Sequence, residues 1–418
     1  MNKKSVIRVF TLFSGYDSQI MALRRLEKWT RKYHPTLNLH FKIVGWCEID
    51  EAAVTSHNAV FPEYAEPFNP ATGRGYYHSD VTLIDWKNAP NFDLLFYSSC
   101  CQDISRGGAQ RGLEAGTGTR SSLIWYVLNA IKAKKPKYCI LENVAALAEQ
   151  TFIASFIKWQ RSVDQEDYRS YWSVLNSANY DIPQNRRRIF MVSIRNDANE
   201  MYSFPSRLQS VRSINSFLED SVDERYYLDD SAVDRFLISL SGNRSKKVGT
   251  PTHTHKAGKM VKQLVTPTCR SDMRDKTISP VIPTITATAY NNANENNCYT
   301  LGHFPKAEVL EVWNDNNCNS KESYLKLLEY SIEDKESVKN ACADDIIDTV
   351  KNLKPGEYIR LRKMSPREQF RFMGVSEDDI EKLVSSGVPD AELYKQAGNS
   401  IVVDVLYEIF KRLLVKAY

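Results

Sequence analysis

Along the first two hundred positions, short apolar runs alternate with amphipathic stretches. Val6 to Phe13 has the mostly apolar character of a strand buried on both faces. Ile20, Leu23 and Leu26 then recur at helical spacing. Phe41 to Trp46 predicts a second strand, leading into Cys47-Glu48-Ile49-Asp50. Phe92 to Tyr97 and Tyr138 to Leu141 predict two more, with a helix around Leu123 to Lys132 between them. Arg188 to Ile194 predicts a further strand. Strand-helix alternation of this kind builds an open, mostly parallel α/β sheet.

The pattern changes after about Pro205. Residues 206–305 are polar and rich in turn formers, and include the tract Asn291 to Asn297. Residues 306–350 read as helical and highly charged. Ser365, Pro366 and Glu368 have the spacing of a capping box with proline in the first turn. The chain then runs to an amphipathic helix with Ile401, Val405, Ile409 and Leu413 on one face. Two domains are therefore expected. The first is 1–205, completed by 395–418; the second is 206–394, with a charged helical insertion at about 306–350.

Composition narrows the class. The chain has 418 residues, enough for two or three domains. At 42% hydrophobic and 25% charged it has the balance of an ordinary soluble protein. No apolar run reaches spanning length, so no membrane span is expected. Met1 to Ser5 leads into a strand-like run without the apolar segment of a secretory signal. The eight cysteines include one adjacent pair and no Cys-x-x-Cys, which points to a reducing cytoplasm. His253, His255 and Cys269 lack a four-ligand spacing, so no metal site is expected. A net charge of +4 says little about partners, but basic residues cluster at Arg186 to Arg188, at Arg106 with Arg111, and at Arg244 with Lys246 and Lys247.

Two places carry reactive chemistry. Cys100 and Cys101 follow the run Phe92 to Tyr97 and open a loop rich in Gly, Ser and Arg. Further along, the strand Tyr138 to Leu141 delivers Glu142, followed by Asn143 and Val144. A nucleophile and an acid at the ends of two strands of a parallel sheet face one crevice. Cys101-Gln102 and Glu142-Asn143-Val144 resemble the catalytic motifs of the cytosine carbon-5 methyltransferases, which read Pro-Cys-Gln and Glu-Asn-Val. The resemblance continues in the family's order through Phe10 to Gly15, Gln184 to Arg188, and Gln396-Ala397-Gly398-Asn399-Ser400. It covers most of 6–195 and 358–412.

The resemblance implies a Rossmann-like, S-adenosylmethionine-dependent methyltransferase fold. That fold has a mixed, mostly parallel sheet and a smaller target-recognition domain. It implies a DNA (cytosine-5-)-methyltransferase that moves a methyl group to carbon 5 of a flipped-out cytosine in a specific duplex sequence. Cys101 would attack carbon 6, Glu142 would serve ring nitrogen 3, and Arg186 and Arg188 would hold the base and its pocket. Cys101 is preferred to Cys100 as nucleophile because it precedes Gln102; Cys100 stands where the family usually has proline.

The cofactor residues implied are Phe13, stacked on adenine; Gly15, in the turn; Glu48, on the ribose hydroxyls; Ile49, packing on adenine; and Asp80, near adenine. Asn399 and Ser400 would line the methionine end. After Gly15 the family's further glycines are replaced by Tyr16-Asp17-Ser18-Gln19. The product would be S-adenosylhomocysteine.

Duplex DNA is the partner implied. The loop Asp103 to Thr119 holds five glycines and suits a lid closing over the base. Gln102, Ser105, Arg106 and Arg111 would face DNA from it, and Thr284 and Thr286 from the recognition region. A monomer in the cytoplasm of a bacterium or encoded by a phage is expected, with a cognate restriction endonuclease as candidate partner. Two other readings stay open: an RNA cytosine methyltransferase, disfavoured by the long recognition region, and a DNA-binding relative that has lost catalysis.

Overall fold

The computed structural model describes residues 5–98, 113, 120–208, 212–227, 259–265, 282–283, 308–314 and 357–415. Contacts group the chain into two units, one of 1–182, 186–210 and 373–418, the other of 183–185 and 211–372.

The first unit is built on a seven-stranded sheet. β1 (Ser5–Leu12), β2 (Leu39–Cys47), β3 (Tyr77–His78), β4 (Leu94–Ser98) and β5 (Tyr138–Val144) are parallel. β6 (Tyr168–Asn176) forms one edge and pairs antiparallel with β8 (Arg187–Arg195), which is also antiparallel to β5. The order is β3-β2-β1-β4-β5-β8-β6. This is the mostly parallel α/β sheet that the alternating pattern predicts, and its antiparallel β8 and β6 make it the mixed sheet that the resemblance implies.

Helices cover both faces, which is why the central strands are apolar runs and not alternating ones. Leu94 to Tyr97 of β4 are all fully buried. On one face Leu95 and Tyr97 join Phe10 and Leu141 beneath α3 (Ile124–Lys134) and α4 (Ile153–Asp164), through Val127, Phe156 and Trp159. On the other, Phe96 meets Phe410 edge-on at 6.2 Å. Phe410 belongs to the last helix, Val403–Leu414, which packs against α1 (Ser18–Tyr33). Ile401, Val405, Ile409 and Leu413 are buried, as their spacing predicts. No helix among the described residues is long and apolar enough to cross a membrane.

The first unit resumes earlier than the expected residue 395. Glu377–Val384 is a helix that packs on α2 (Glu51–Val60) and buries Ile380 and Leu383. Its apolar stripe is what draws this segment to the first unit.

In the second unit, β9 (Lys259–Val265), β11 (Glu308–Asn314) and β12 (Glu357–Lys363) form an antiparallel sheet in the order β12-β11-β9. β7 (Gln184–Asn185) pairs parallel with β10 (Ile282–Pro283). β11 corrects the expectation of a helix throughout 306–350. Val309, Leu310, Val312 and Trp313 fit helical spacing about as well as a strand, and pairing on both edges decides for the strand. The remainder of that segment, 315–350, lies outside the described residues.

The helix α5 (Pro366–Phe372) follows β12 and carries the predicted capping box. Ser365 N donates to Glu368 Oε2 at 2.8 Å, and Glu368 N donates to Ser365 Oγ at 3.2 Å. Glu368 also receives a fork from Arg362, with Nη1 and Nη2 at 2.7 and 2.8 Å, both side chains being fully buried. The three helices that complete the chain are α6 (Glu377–Val384), α7 (Asp390–Asn399) and α8 (Val403–Leu414).

Candidate active site

At the end of β1 the chain turns sharply before α1. Phe13, Gly15 and Asp17 all have positive φ, at 56°, 57° and 65°. For a residue with a Cβ this costs about 1–2 kcal/mol. Local bonds offset the cost at Asp17, which receives Thr11 Oγ1 at 2.8 Å and caps α1 through the Ile20 amide. Asp17, wholly buried, thus organises a turn where the family usually has glycine.

Glu48 follows β2 and faces that turn. Its Oε2 accepts the Gly15 amide at 2.9 Å, and its Oε1 accepts the Ile49 and Asp50 amides at 2.8 and 2.9 Å. A carboxylate has about four acceptor positions, so one remains on Oε2 for a hydroxyl. Ile49 is 71% exposed, an uncovered apolar side chain beside a carboxylate. Cys47 pairs with His78 across β2 and β3, and Glu48 and Asp80 both lie near enough to help burial push the Cys47 thiol up. Asp80 Oδ1 caps the turn Val81–Leu83 through Thr82 N at 2.8 Å. Phe13 is half-buried at the end of β1. An uncovered apolar side chain next to a carboxylate with acceptor capacity, at the strand ends, fits a nucleoside.

α7 closes this crevice. Asn399 is its exposed last residue, and Ser400 Oγ is 3.3 Å from Ser18 Oγ at the start of α1. Lys395 Nζ donates to Asp50 Oδ2 at 2.7 Å, a tie from α7 to the turn after Glu48 that no motif announces.

The acid lies two strands away. Glu142 sits near the end of β5, opposite Ser98 of β4 and Phe190 of β8. Ser98 Oγ donates to its Oε2 at 2.9 Å, and Arg188 Nε is 3.2 Å from its Oε1. Burial raises the Glu142 carboxyl above its ordinary range, against the opposing pull of Arg188, Arg186 and Ser98. The result is a carboxyl inclined to keep its proton, held by donors that fix its orientation. Ser98 was not among the expected site residues. A serine in an apolar strand carries no signal of its own, and only the β4–β5 register places it beside Glu142.

Arg186 takes a different place from Arg188. It is 2% exposed and its Nη2 donates to the carbonyls of Gly398 and Ser400 at 2.8 and 2.5 Å. The structure thus gathers Glu142, Arg188 and Arg186 together, and Glu48, Gly15 and Ile49 together. Cys101, Gln102, Ser105, Arg106, Arg111, Thr284 and Thr286 lie outside the described residues, as do His253, His255 and Cys269.

The chain is similar to known proteins along nearly its whole length. The family model described as C-5 cytosine-specific DNA methylase matches residues 7–415. The type II methyltransferase M2.ScrFI of Lactococcus lactis subsp. cremoris is 28% identical, over 98% of this chain and 99% of its own length. The orphan methyltransferase M.SPRI of Bacillus phage SPR is 27% identical, over 98% and 97%. Among solved structures, the S. pombe Dnmt2 methyltransferase aligns with a TM-score of 0.57 at 17% identity, covering 98% of each chain, which speaks for the shared fold.

Proposed function

This chain belongs to the C-5 cytosine-specific DNA methylase family, and from that premise we propose that it methylates a flipped-out cytosine in duplex DNA through a covalent bond to Cys101. The observation that carries the reading is the buried Glu142 near the end of β5, with Arg188 on one carboxyl oxygen and Ser98 on the other.

Carbon 5 of cytosine is a weak nucleophile. Addition of the Cys101 thiolate to carbon 6 places an electron pair in the ring, conjugated toward nitrogen 3. Glu142 donates its proton there, and the nucleophilic character passes to carbon 5. A carboxyl whose pKa burial raises is better suited to that task than an ordinary surface glutamate. Arg188 holds the Glu142 carboxyl in place and compensates the carboxylate left behind. Ser98, three residues before Cys101 in the chain, holds the other carboxyl oxygen. Bound S-adenosylmethionine supplies the electrophilic methyl group that carbon 5 accepts. Loss of the carbon-5 proton to water then expels the Cys101 thiolate, and nitrogen 3 returns its proton to Glu142.

Glu48, Ile49, Asp80 and Phe13 would hold the adenosine part, and Asn399 and Ser400 the methionine end. The duplex must release its target, at a cost of a few kcal/mol. The loop of Gln102, Ser105, Arg106 and Arg111 would close on it, and Thr284 and Thr286 would face DNA from the second unit. The setting proposed is the cytoplasm of a bacterium or its phage, with or without a partner endonuclease.

Transfer of tritiated methyl groups from labelled S-adenosylmethionine to duplex DNA tests the assignment. Label should enter the DNA with the parent chain and with Cys100→Ser, and should fail to enter with Cys101→Ser. Activity surviving in Cys101→Ser but lost in Cys100→Ser would move the nucleophile to the neighbouring sulfur.

A further inference from the structure

The two arginines that flank Arg187 divide their contacts. Arg188 reaches the Glu142 carboxylate directly, at 3.2 Å. Arg186 spends one end of its guanidinium on backbone, the carbonyls of Gly398 and Ser400 where α7 ends. These carbonyls lie at the negative end of the helix, and a planar guanidinium suits a pair of acceptors there.

We propose that Arg186 is a positioning residue that locks the segment 398–400 against the Glu142 site, so that filling of the cofactor crevice and readiness of the base pocket depend on each other; this rests on the function proposed above. Ser400 is held from its other side by the opening of α1. Ser18 Oγ lies 3.3 Å from Ser400 Oγ. Tyr16 and Ser18 are buried and follow Gly15, whose amide rests on Glu48. α7 is tied to the same crevice a second time by Lys395 and Asp50. Three contacts, Glu48 with Gly15, Ser18 with Ser400 and Ser400 with Arg186, are therefore joined through the short turn from Gly15 to Ser18. The charge of Arg186 reaches Glu142 and opposes the upward pull of burial on that carboxyl. An arginine that only held the base would have no reason to grip the end of α7.

The test is calorimetry of S-adenosylmethionine binding to the whole chain, joined to steady-state methyl transfer across pH. Arg186→Lys keeps the charge but loses the fork. Its cofactor Kd should rise about tenfold, with the KM for DNA unchanged and the pH limb of kcat in place. Arg186→Met should weaken cofactor binding as much and also move the limb set by Glu142 upward, a change that loosened packing alone would not produce. Ser18→Ala, a small change remote from Glu142, should raise the cofactor Kd about threefold and keeps the test open if the Arg186 variants fail to fold. A rise in the KM for DNA with cofactor affinity unchanged would show that Arg186 serves the base directly and would overturn the proposal. Parental cofactor affinity in both Arg186→Lys and Ser18→Ala would overturn it too. If the parent itself bound no S-adenosylmethionine, the underlying function would fall, and that result is distinct from a failure confined to the variants.

Discussion

Burial raises the Glu142 carboxyl above its ordinary range, and that one effect makes stability depend on pH. Its native pKa lies above that of an unfolded glutamate, about 4.3. Between those two values the native state binds more protons than the unfolded chain, so stability falls as pH rises through the window. Glu142→Gln cannot ionise and should escape that fall. Thermal midpoints of parent and variant should differ little in their pH trend below about pH 4, and the variant should gain on the parent as pH rises; parallel curves would contradict the account. Methyl transfer by the same variant should drop about 10²–10⁴-fold, the usual contribution of a general acid. At this scale Glu142, Arg188 and Glu48 were legible as candidates, because they fall in motifs that follow a known family's order. Ser98, Asp17 and Lys395 were not. Ser98 needs the strand register, Asp17 takes a backbone conformation usually left to glycine, and Lys395 meets Asp50 across 345 residues of chain.

Elements were legible where burial is one-sided or total. The runs of β1, β4 and β5 are apolar because helices cover both faces, and no other element of that length fits them. β6 escaped notice because an edge strand is half solvated, and Tyr168 to Asn176 mixes serine, arginine and aromatics. β11 was misread as helix because its four apolar residues suit either period. The capping box before α5 was read correctly, since its bonds are local, but its burden was not. Glu368 serves at once as box partner, as acceptor of the Glu219 amide at 2.9 Å and as counter-charge to the wholly buried Arg362. Arg362→Met would strand that carboxylate away from water. Urea unfolding of the variant should show a loss of about 3–5 kcal/mol, as when one partner of a buried pair is removed. A loss below about 1 kcal/mol would mean that the pair behaves like a surface bridge.

On the scale of the molecule, a chain of 418 residues groups into two contact units. The first unit is discontinuous, and α6, α7 and α8 return to it after the second has been built. By contacts the return begins at residue 373, ahead of α6. The family assignment rests on a match from residue 7 to residue 415, so it takes in both units. The central claim remains a bond between sulfur and pyrimidine. Duplex DNA in which every cytosine is replaced by 5-fluorocytosine tests it most directly, because fluorine cannot leave as the carbon-5 proton does and the adduct is trapped. With S-adenosylmethionine present, the parent should form a complex with this DNA that survives a denaturing gel, and Cys101→Ser should form none. DNA bound in native gels but released wholly on denaturation by the parent would contradict the account.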